Sequence, residues 1–434
     1  MNQPEPKPPQ RQGPRPLPLH LGLAAARGWA AMVPLLAGTP GSPSGWPPWS
    51  GGWPRSKAGQ AERARILAAL PAVLAAGGHR PEAFQAAVRQ ALARQDQRFL
   101  AAVVGYRGHP YRRRLADPPA LWAEGTSRLL DYGAAHGDAE PVGLAGGAAV
   151  LFVPSLVNRA TVLDLLPQAS MLRFLAAQGL RPLLLDWGAP VGAERGFNLT
   201  DIVAGRLERA LAAAVAASGG PVVLAGYCMG GLLALAAALR RPEQVRALAL
   251  LATPWDFWAA EGPAKPQALG GLLPGLEPLL AATGTLPVEA IQALFATLDP
   301  FAIAAKFRAF GRLDPQGEAA QRFVALEDWL NDGVPLAAPV AREVLGGWYG
   351  ANTPAQGEWR VAGQPVDPTA LRLPTLLVVP ARDRIVPPAS ALALAGAIPG
   401  ALVHQAAAGH IGMVAGGGAA AALWRPLLGW VAGL

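Results

Sequence analysis

The one cysteine of this 434-residue chain lies among residues that suit it to act as a nucleophile. It occurs in Gly226-Tyr-Cys-Met-Gly-Gly231, after an apolar run that predicts a buried strand and before one that predicts a helix. This order is that of a nucleophile elbow, G-x-S-x-G, with sulfur in place of the serine oxygen. Gly226, Gly230 and Gly231 permit the sharp turn, and the positive end of the helix favours a thiolate at Cys228.

An acid and a histidine follow the cysteine along the chain, each in a loop after a predicted strand. Asp383 follows the predicted strand 373–379, and His410 follows the predicted strand 401–406. Because parallel sheets place their sites at the carboxyl ends of strands, the three side chains are predicted to meet. The imidazole would take the thiol proton, and the carboxylate would orient the imidazole. Asp256 is the competing acid, but an aspartate just beyond a strand is more often a turn residue.

Backbone N–H groups near the elbow are predicted to stabilise the negative charge that develops on a substrate carbonyl. Met229, directly after the cysteine, is expected to supply one half of this oxyanion hole. The loop after the predicted strand 148–153 is expected to supply the other half, at Val157 or Asn158. A thiolate that attacks a thioester forms another thioester, so the leaving groups are matched and thioester exchange is the favoured chemistry.

Strands and helices alternate from about residue 148 onward, which predicts a mostly parallel sheet with right-handed crossovers and flanking helices. Strands are predicted at 148–153, 181–186, 221–227, 246–252, 373–379 and 401–406, and helices at 169–178, 201–218, 229–240, 389–398 and 420–433. Because nucleophile, acid and histidine follow in that chain order, the fold class is α/β, of the α/β-hydrolase type.

Four regions are predicted along the chain. Residues 1–58 are rich in Pro, Gly and Ser and are expected to be largely disordered, apart from a short amphipathic helix near 21–37. Residues 59–118 are predicted to form a basic helical region. The α/β-hydrolase core is assigned to 119–256 and 369–434, and a helical cap inserted into it to 257–368.

Charge is unevenly distributed: through Asp117 the chain carries 16 Lys and Arg against 5 Asp and Glu, within a net charge of +8. Such a region can contact nucleic acid, lipid headgroups or phosphorylated substrates, although a solvated basic face is the simpler interpretation. No nucleic-acid motif accompanies the charge, so no nucleic-acid partner is expected. Metal-site spacing of Cys and His is absent, and neither a metal nor a cofactor is expected. Arg27, in the first apolar stretch, argues against a signal peptide. A single cysteine excludes an internal disulfide, so the cytoplasm is the expected compartment.

Three tryptophans are candidates to line a channel for the acyl group. They are Trp187, Trp255 and Trp329. Simple packing is the more common role of a tryptophan, so both interpretations stay open.

Eight short motifs follow one another along the chain, at Trp122–Tyr132, Pro154–Arg159 with Leu163–Leu165, Leu185–Pro190, Gly226–Gly231, Thr253–Phe257, Asp328–Asp332, Asp383–Pro387 and Gly409–Gly412. In this order they resemble the polyhydroxyalkanoate synthase family, over about residues 120–434. Arg384 departs from that pattern, since many relatives carry histidine after the acid. The Pro-rich basic N-terminus is also unlike that of either known synthase type.

The resemblance implies an acyltransferase that uses an (R)-3-hydroxyacyl-CoA substrate, passes its acyl group to Cys228 and releases CoA. It also implies a growing polyester granule in the cytoplasm with the protein at its surface, homodimer contacts through the cap, and an accessory subunit in some members. A thioesterase or polyester hydrolase with the same Cys–His–Asp site is the alternative, because water and a hydroxyl compete for one acyl-enzyme. A further alternative is a non-catalytic granule-surface protein that uses residues 21–37 as an interfacial helix, against which the intact elbow argues.

Overall fold

The structure is a computed structural model, and it describes residues 11–36, several positions between 60 and 72, and residues 81–133, 147–260 and 262–434. Most of the predicted disordered tail, and much of the first half of the predicted basic region, therefore lie outside the described residues. Within those ranges, no helix is long and apolar enough to cross a membrane.

Strands and helices are numbered here in chain order. The strands are β1 Ala120–Glu124, β2 Ser127–Asp131, β3 Ala149–Val153, β4 Asp164–Leu166, β5 Ala169–Ser170, β6 Arg181–Asp186, β7 Val222–Tyr227, β8 Val245–Leu251, β9 Thr285–Leu286, β10 Leu336–Ala337, β11 Arg360–Val361, β12 Gln364–Pro365, β13 Thr375–Pro380 and β14 Leu402–Ala406. The α-helices are α1 Leu17–Leu36, α2 Pro81–Gly108, α3 Met171–Ala177, α4 Glu208–Ser218, α5 Met229–Arg240, α6 Ala264–Gly270, α7 Leu273–Thr283, α8 Val288–Ala296, α9 Ala302–Phe310, α10 Glu318–Asn331, α11 Ala338–Arg342, α12 Pro388–Ala397, α13 Gly412–Ala415 and α14 Arg425–Ala432. Turns of π-helix occupy Asp201–Leu207, Glu343–Ala351 and Ala420–Trp424.

The described residues fall into two compact units, one drawn from 1–109 and 299–320 and the other from 110–298 and 321–434. The first unit is helical and contains α1, α2 and α9. The helix predicted near 21–37 is present as α1. Residues 299–320, which the sequence pattern placed in the cap, belong to this unit.

Aromatic side chains form the core of the first unit. Phe99 and Tyr106 are separated by two helical turns on α2, so they lie on one face of that helix. Both pack edge-on against Phe307 of α9, with ring centroids 6.1 and 5.6 Å apart. All three side chains are almost fully buried, and this contact joins α2 to α9.

The second unit is built on an eight-stranded sheet in the order β1-β2-β6-β3-β7-β8-β13-β14. From β6 to β14 neighbouring strands are parallel, whereas β1 and β2 add an antiparallel hairpin at one edge. Alternate residues of β3 belong to two different hydrophobic clusters, because successive side chains of a strand point to opposite faces. This architecture confirms the predicted α/β fold, and the six predicted strands are all present within two residues of their predicted bounds.

The turn between β7 and α5 requires glycine at positions 226 and 230, because neighbouring backbone atoms leave no room for a side chain there. A Cβ placed on Gly226 would overlap the Cα of Gly231. A Cβ placed on Gly230 would overlap the carbonyl oxygen of Val153 and lie 2.6 Å from that of Pro154. The elbow and the loop after β3 are therefore packed backbone against backbone, which fixes their relative position.

We expect Gly230→Ala to lower the free energy of unfolding by about 3 kcal/mol, because the overlapping atoms are backbone and cannot rotate away. The matched control is Gly396→Ala in α12, where a Cβ meets no heavy atom within 4 Å. Alanine there is expected to be neutral or to stabilise the helix, since glycine is a poor helix former. Urea denaturation measures both changes. Equal effects of the two substitutions would contradict the tight packing of the elbow.

Candidate active site

The cysteine of the elbow has a strained backbone. Cys228 has φ 56° and ψ −128°, a region that residues with a side chain rarely occupy and that is often found at functional sites. Its N–H donates to the carbonyl of Leu251 at 2.8 Å, and its carbonyl accepts from the N–H of Gly231 at 2.9 Å. These two bonds hold the half-buried thiol side chain at the N-terminus of α5.

The histidine and the acid predicted from the sequence form a buried pair. Nδ1 of His410 lies 2.6 Å from Oδ2 of Asp383, and because a carboxylate only accepts, Nδ1 is the donor. The other carboxylate oxygen accepts from the N–H groups of Ile385 and Val386 at 2.8 and 2.9 Å. Both members of the pair are 7% exposed. The carboxylate is thus fixed by its own loop, and it fixes the imidazole in turn.

Cys228 of the elbow interacts electrostatically with the His410–Asp383 pair. Burial alone lowers the pKa of His410, but the negative charge of Cys228 and the hydrogen bond to Asp383 outweigh it and raise the pKa to about 10. Hydrogen bonding to Cys228 contributes further to the raised pKa of His410. The structure therefore brings Cys228, His410 and Asp383 together, as the chain order predicts, in an arrangement in which a thiolate and an imidazolium would stabilise each other.

We expect His410 to stay protonated at neutral pH and to titrate near pH 10 in the wild-type protein. In Cys228→Ala its pKa should fall, because the largest contribution that raises it is the charge of the thiolate. NMR of protein labelled in its histidine rings measures both titrations, with His410→Gln to assign the signal. The same midpoint in the wild type and in Cys228→Ala would contradict the ion pair.

The competing acid has a different environment. Oδ1 of Asp256 accepts from the N–H of Trp258 at 2.8 Å and from the side-chain amide of Asn352 at 2.9 Å. These partners belong to the segment after β8 and to the loop after the second π-helix. Asp256 is therefore a turn residue in the described structure, in line with the simpler interpretation of its sequence position.

Two tryptophans hold the loop from which the second oxyanion donor is expected. The indole N–H of Trp187 donates to the carbonyl of Pro154 at 3.0 Å. The indole N–H of Trp329 donates to the carbonyl of Arg159 at 2.7 Å. These bonds clamp the two ends of the segment 154–159. These hydrogen bonds give Trp187 and Trp329 a positioning role, which is neither of the two roles that the sequence left open.

The donors predicted for the oxyanion hole come from two places, the start of α5 and the loop 154–159. Met229 is the first residue of α5, so its N–H has no acceptor within the helix. The N–H of Val157 faces Ser155 Oγ at 3.4 Å, a long hydrogen bond, and its carbonyl accepts from Val334 at 3.1 Å. Asn158 forms an isolated antiparallel bridge with Gly333. The assignment of Met229, Val157 and Asn158 to an oxyanion hole stays a prediction.

Tyr349, from the segment between β8 and β13, lies within electrostatic range of the cysteine and is not among the site residues predicted from the sequence. Burial, and next the negative charge of Cys228, raise the pKa of Tyr349 to about 12. Its ring packs against Phe257 with centroids 4.9 Å apart, and its carbonyl accepts from the indole of Trp258 at 3.1 Å. Tyr349 has no motif around it, so no sequence signal links it to a residue 121 positions earlier.

Known proteins that are similar to this chain have the same fold and point to one family. The pattern described as the alpha/beta hydrolase fold matches residues 148–416, more than half of the chain. The poly(3-hydroxyalkanoate) polymerase subunit PhaC of Haloferax mediterranei is 29% identical over 297 residues, 65% of this chain and 58% of that protein. The same subunit of Allochromatium vinosum is 29% identical over 69% of this chain and 83% of that protein. In Synechocystis the subunit is 30% identical, over 62% of this chain and 73% of that protein.

The shared region starts within the second unit's sheet and includes the elbow, the acid and the histidine. The chain spans less than two thirds of the length of the first of these relatives and more of the other two. The family pattern matches most of the sheet, and the chain covers 73% of the length of a relative that is 30% identical. The chain therefore belongs to the poly(3-hydroxyalkanoate) polymerase family of the alpha/beta hydrolase superfamily.

Proposed function

We propose that the protein is an acyltransferase that polymerises (R)-3-hydroxyacyl-CoA into a polyester and releases CoA. The observation that carries the proposal is sulfur at the elbow beside the buried His410–Asp383 pair, in a member of the polymerase family. A thiolate suits a thioester substrate because both sides of the exchange are thioesters of similar leaving ability. Serine at the same position would have to form a less reactive oxygen ester.

The first half of the reaction loads the enzyme. The sulfur of Cys228 attacks the thioester carbonyl, so that a new carbon–sulfur bond forms and the bond to the CoA sulfur breaks. The imidazolium of His410 gives its proton to the departing CoA thiolate. The negative charge that develops on the carbonyl oxygen is stabilised by the N–H of Met229 and by a donor from the loop 154–159.

The second half forms the ester. The hydroxyl of another hydroxyacyl group attacks the acyl-Cys228, and the now neutral His410 takes the hydroxyl proton. The carbon–oxygen bond forms, the carbon–sulfur bond breaks, and the thiolate–imidazolium pair is restored. Asp383 holds the imidazole in the tautomer that this step requires and stabilises its charged form. Each cycle releases one CoA and makes one ester, so no other reactant is needed.

The fate of the acyl-enzyme separates this proposal from a hydrolase with the same three residues. Purified protein is given (R)-3-hydroxybutyryl-CoA, released CoA is measured by chromatography, and the acyl product is analysed. Insoluble polyester in step with CoA release supports the polymerase. Free 3-hydroxybutyrate as the sole acyl product would overturn it in favour of a thioesterase. We also propose that the protein works at the surface of the polyester granule, where its insoluble product collects.

A further inference from the structure

A cavity of about 580 Å³ lies in the helical first unit, between α2 and the α9 region. Its walls come from the face of α2 that carries Arg98, Ala101 and Gly105, and from Arg308 and the residues after it. The volume is in the range of sites that hold small molecules. None of its lining residues belongs to the candidate active site.

Positive charge dominates the lining of this cavity. Arg98, Arg308 and Arg312 all contribute to its walls, and Arg98 and Arg312 are exposed at its rim. The carboxylate of Asp96, two residues before Arg98, forms an ion pair with Arg27 at 3.3 Å. Three guanidinium groups around one cavity present a fork-shaped set of donors that matches a phosphate.

Arg308 has a nitrogen that the fold does not use. Its Nη1 atom is buried and has no hydrogen-bond partner among the described residues. Burial, and next the positive charge of Arg27, lower the pKa of Arg308 below its usual value. The carboxylate of Asp96 favours the Arg308 cation electrostatically, but its hydrogen bond is with Arg27. The buried donor of Arg308 therefore has no acceptor among the described residues, which costs free energy.

The remaining walls are apolar or open. Phe310 and Leu313 lie on the α9 side of the cavity, and Leu313 is 37% exposed. On α2, a Cβ added to Gly105 would meet no heavy atom within 4 Å, so this position faces open space. A solvated basic face explains the charge of Arg98 and Arg312 but explains neither the buried nitrogen of Arg308 nor the apolar wall beside it.

We propose that this cavity binds a small phosphate ester, with its phosphate between Arg98, Arg308 and Arg312 and its apolar part against Phe310 and Leu313. Phosphate is favoured over carboxylate because three cationic side chains line the cavity, and a dianion compensates them better than a single charge. The cavity is several times larger than a phosphate ion, so the ligand carries an organic part. This inference does not depend on the polymerase reaction.

Octyl phosphate is a suitable probe because it joins a phosphate to an apolar chain. Isothermal titration calorimetry with the full-length protein should show saturable binding of octyl phosphate, and binding weaker by about tenfold or more for inorganic phosphate and for octanoate. Octanoate that binds as tightly as octyl phosphate would overturn the phosphate assignment. Vesicles that contain phosphatidic acid test a lipid source: binding to them without binding of soluble octyl phosphate would overturn a free ligand.

Three variants connect the binding to this cavity. Arg308→Gln should weaken octyl phosphate binding about tenfold or more, the contribution expected of a charged hydrogen bond, without lowering the melting temperature of the free protein. Gly105→Leu should weaken binding by filling the cavity, while it improves the helix. Arg94→Gln, at an exposed position of α2 outside the cavity, is the matched control and should bind as the wild type does. An equal loss in Arg94→Gln, or no loss in Arg308→Gln, would overturn the proposal.

Discussion

Cys228→Ala is expected to reduce CoA release from (R)-3-hydroxybutyryl-CoA by on the order of 10⁴-fold or more, to the background rate. The reason is that no other cysteine exists in the chain to carry the acyl group. Alanine also removes the charge that raises the pKa of His410, so the base loses its partner as well. Timed CoA release measured by chromatography, with polymer quantified in parallel, gives the rate.

Cys228→Ser is the control for packing in this experiment. Serine is nearly the same size and leaves the hydrogen bonds of the residue's own N–H and carbonyl in place. It is expected to fold as the wild type does and to transfer acyl groups far more slowly, because a hydroxyl is a poorer nucleophile than a thiolate. A Cys228→Ala protein that released CoA at a tenth of the wild-type rate would contradict the covalent route.

Asp383→Asn is expected to lower the rate by about 10²- to 10⁴-fold, the range of a positioned acid–base system. The asparagine oxygen would keep the bonds from the N–H groups of Ile385 and Val386, and this would turn its NH₂ group toward Nδ1 of His410. Two donors then face each other, which favours the tautomer of the imidazole that cannot accept the substrate proton.

The matched control for Asp383→Asn is Asp256→Asn, the same change in the competing acid. The asparagine oxygen at position 256 still accepts from Trp258 and Asn352, so the turn is retained. Its rate should stay within about twofold of the wild type, as for a surface substitution with no role in the chemistry. If Asp256→Asn were the slower of the two variants, the acid would have been assigned to the wrong loop.

The sheet of the second unit was accessible from sequence because its strands are short, apolar and separated by helices. Residues 221–227 and 229–240 are examples: the predicted strand and helix are found as β7 and α5 within one residue. The hairpin of β1 and β2 was not predicted, because the segment 120–131 mixes charged and apolar residues and pairs only at the sheet edge. Strand order was also not predicted, since hydrophobic patterns carry no information on which strands are neighbours.

In the candidate site, too, the residues in local motifs were predicted and the contacts between distant parts of the chain were not. Cys228, Asp383 and His410 stand in recognisable motifs, and motif order alone predicts that they meet. Tyr349 and the clamping bonds of Trp187 and Trp329 depend on contacts between distant parts of the chain, and no local pattern encodes them. The cavity beside Arg308 is a further case, because it forms only when 299–320 packs with α2 in the first unit.

Mass spectrometry tests the covalent intermediate on Cys228 most directly. Wild-type protein and His410→Gln protein, which loads more slowly but has no base to resolve the acyl-enzyme, are each mixed with (R)-3-hydroxybutyryl-CoA and quenched in acid, and each is analysed intact and after digestion. We expect a mass increase of one or more 3-hydroxybutyryl groups, located on the peptide that contains Cys228 and removed by hydroxylamine. Polymer made by the wild type, with no adduct on that peptide in either protein, would contradict the proposed mechanism.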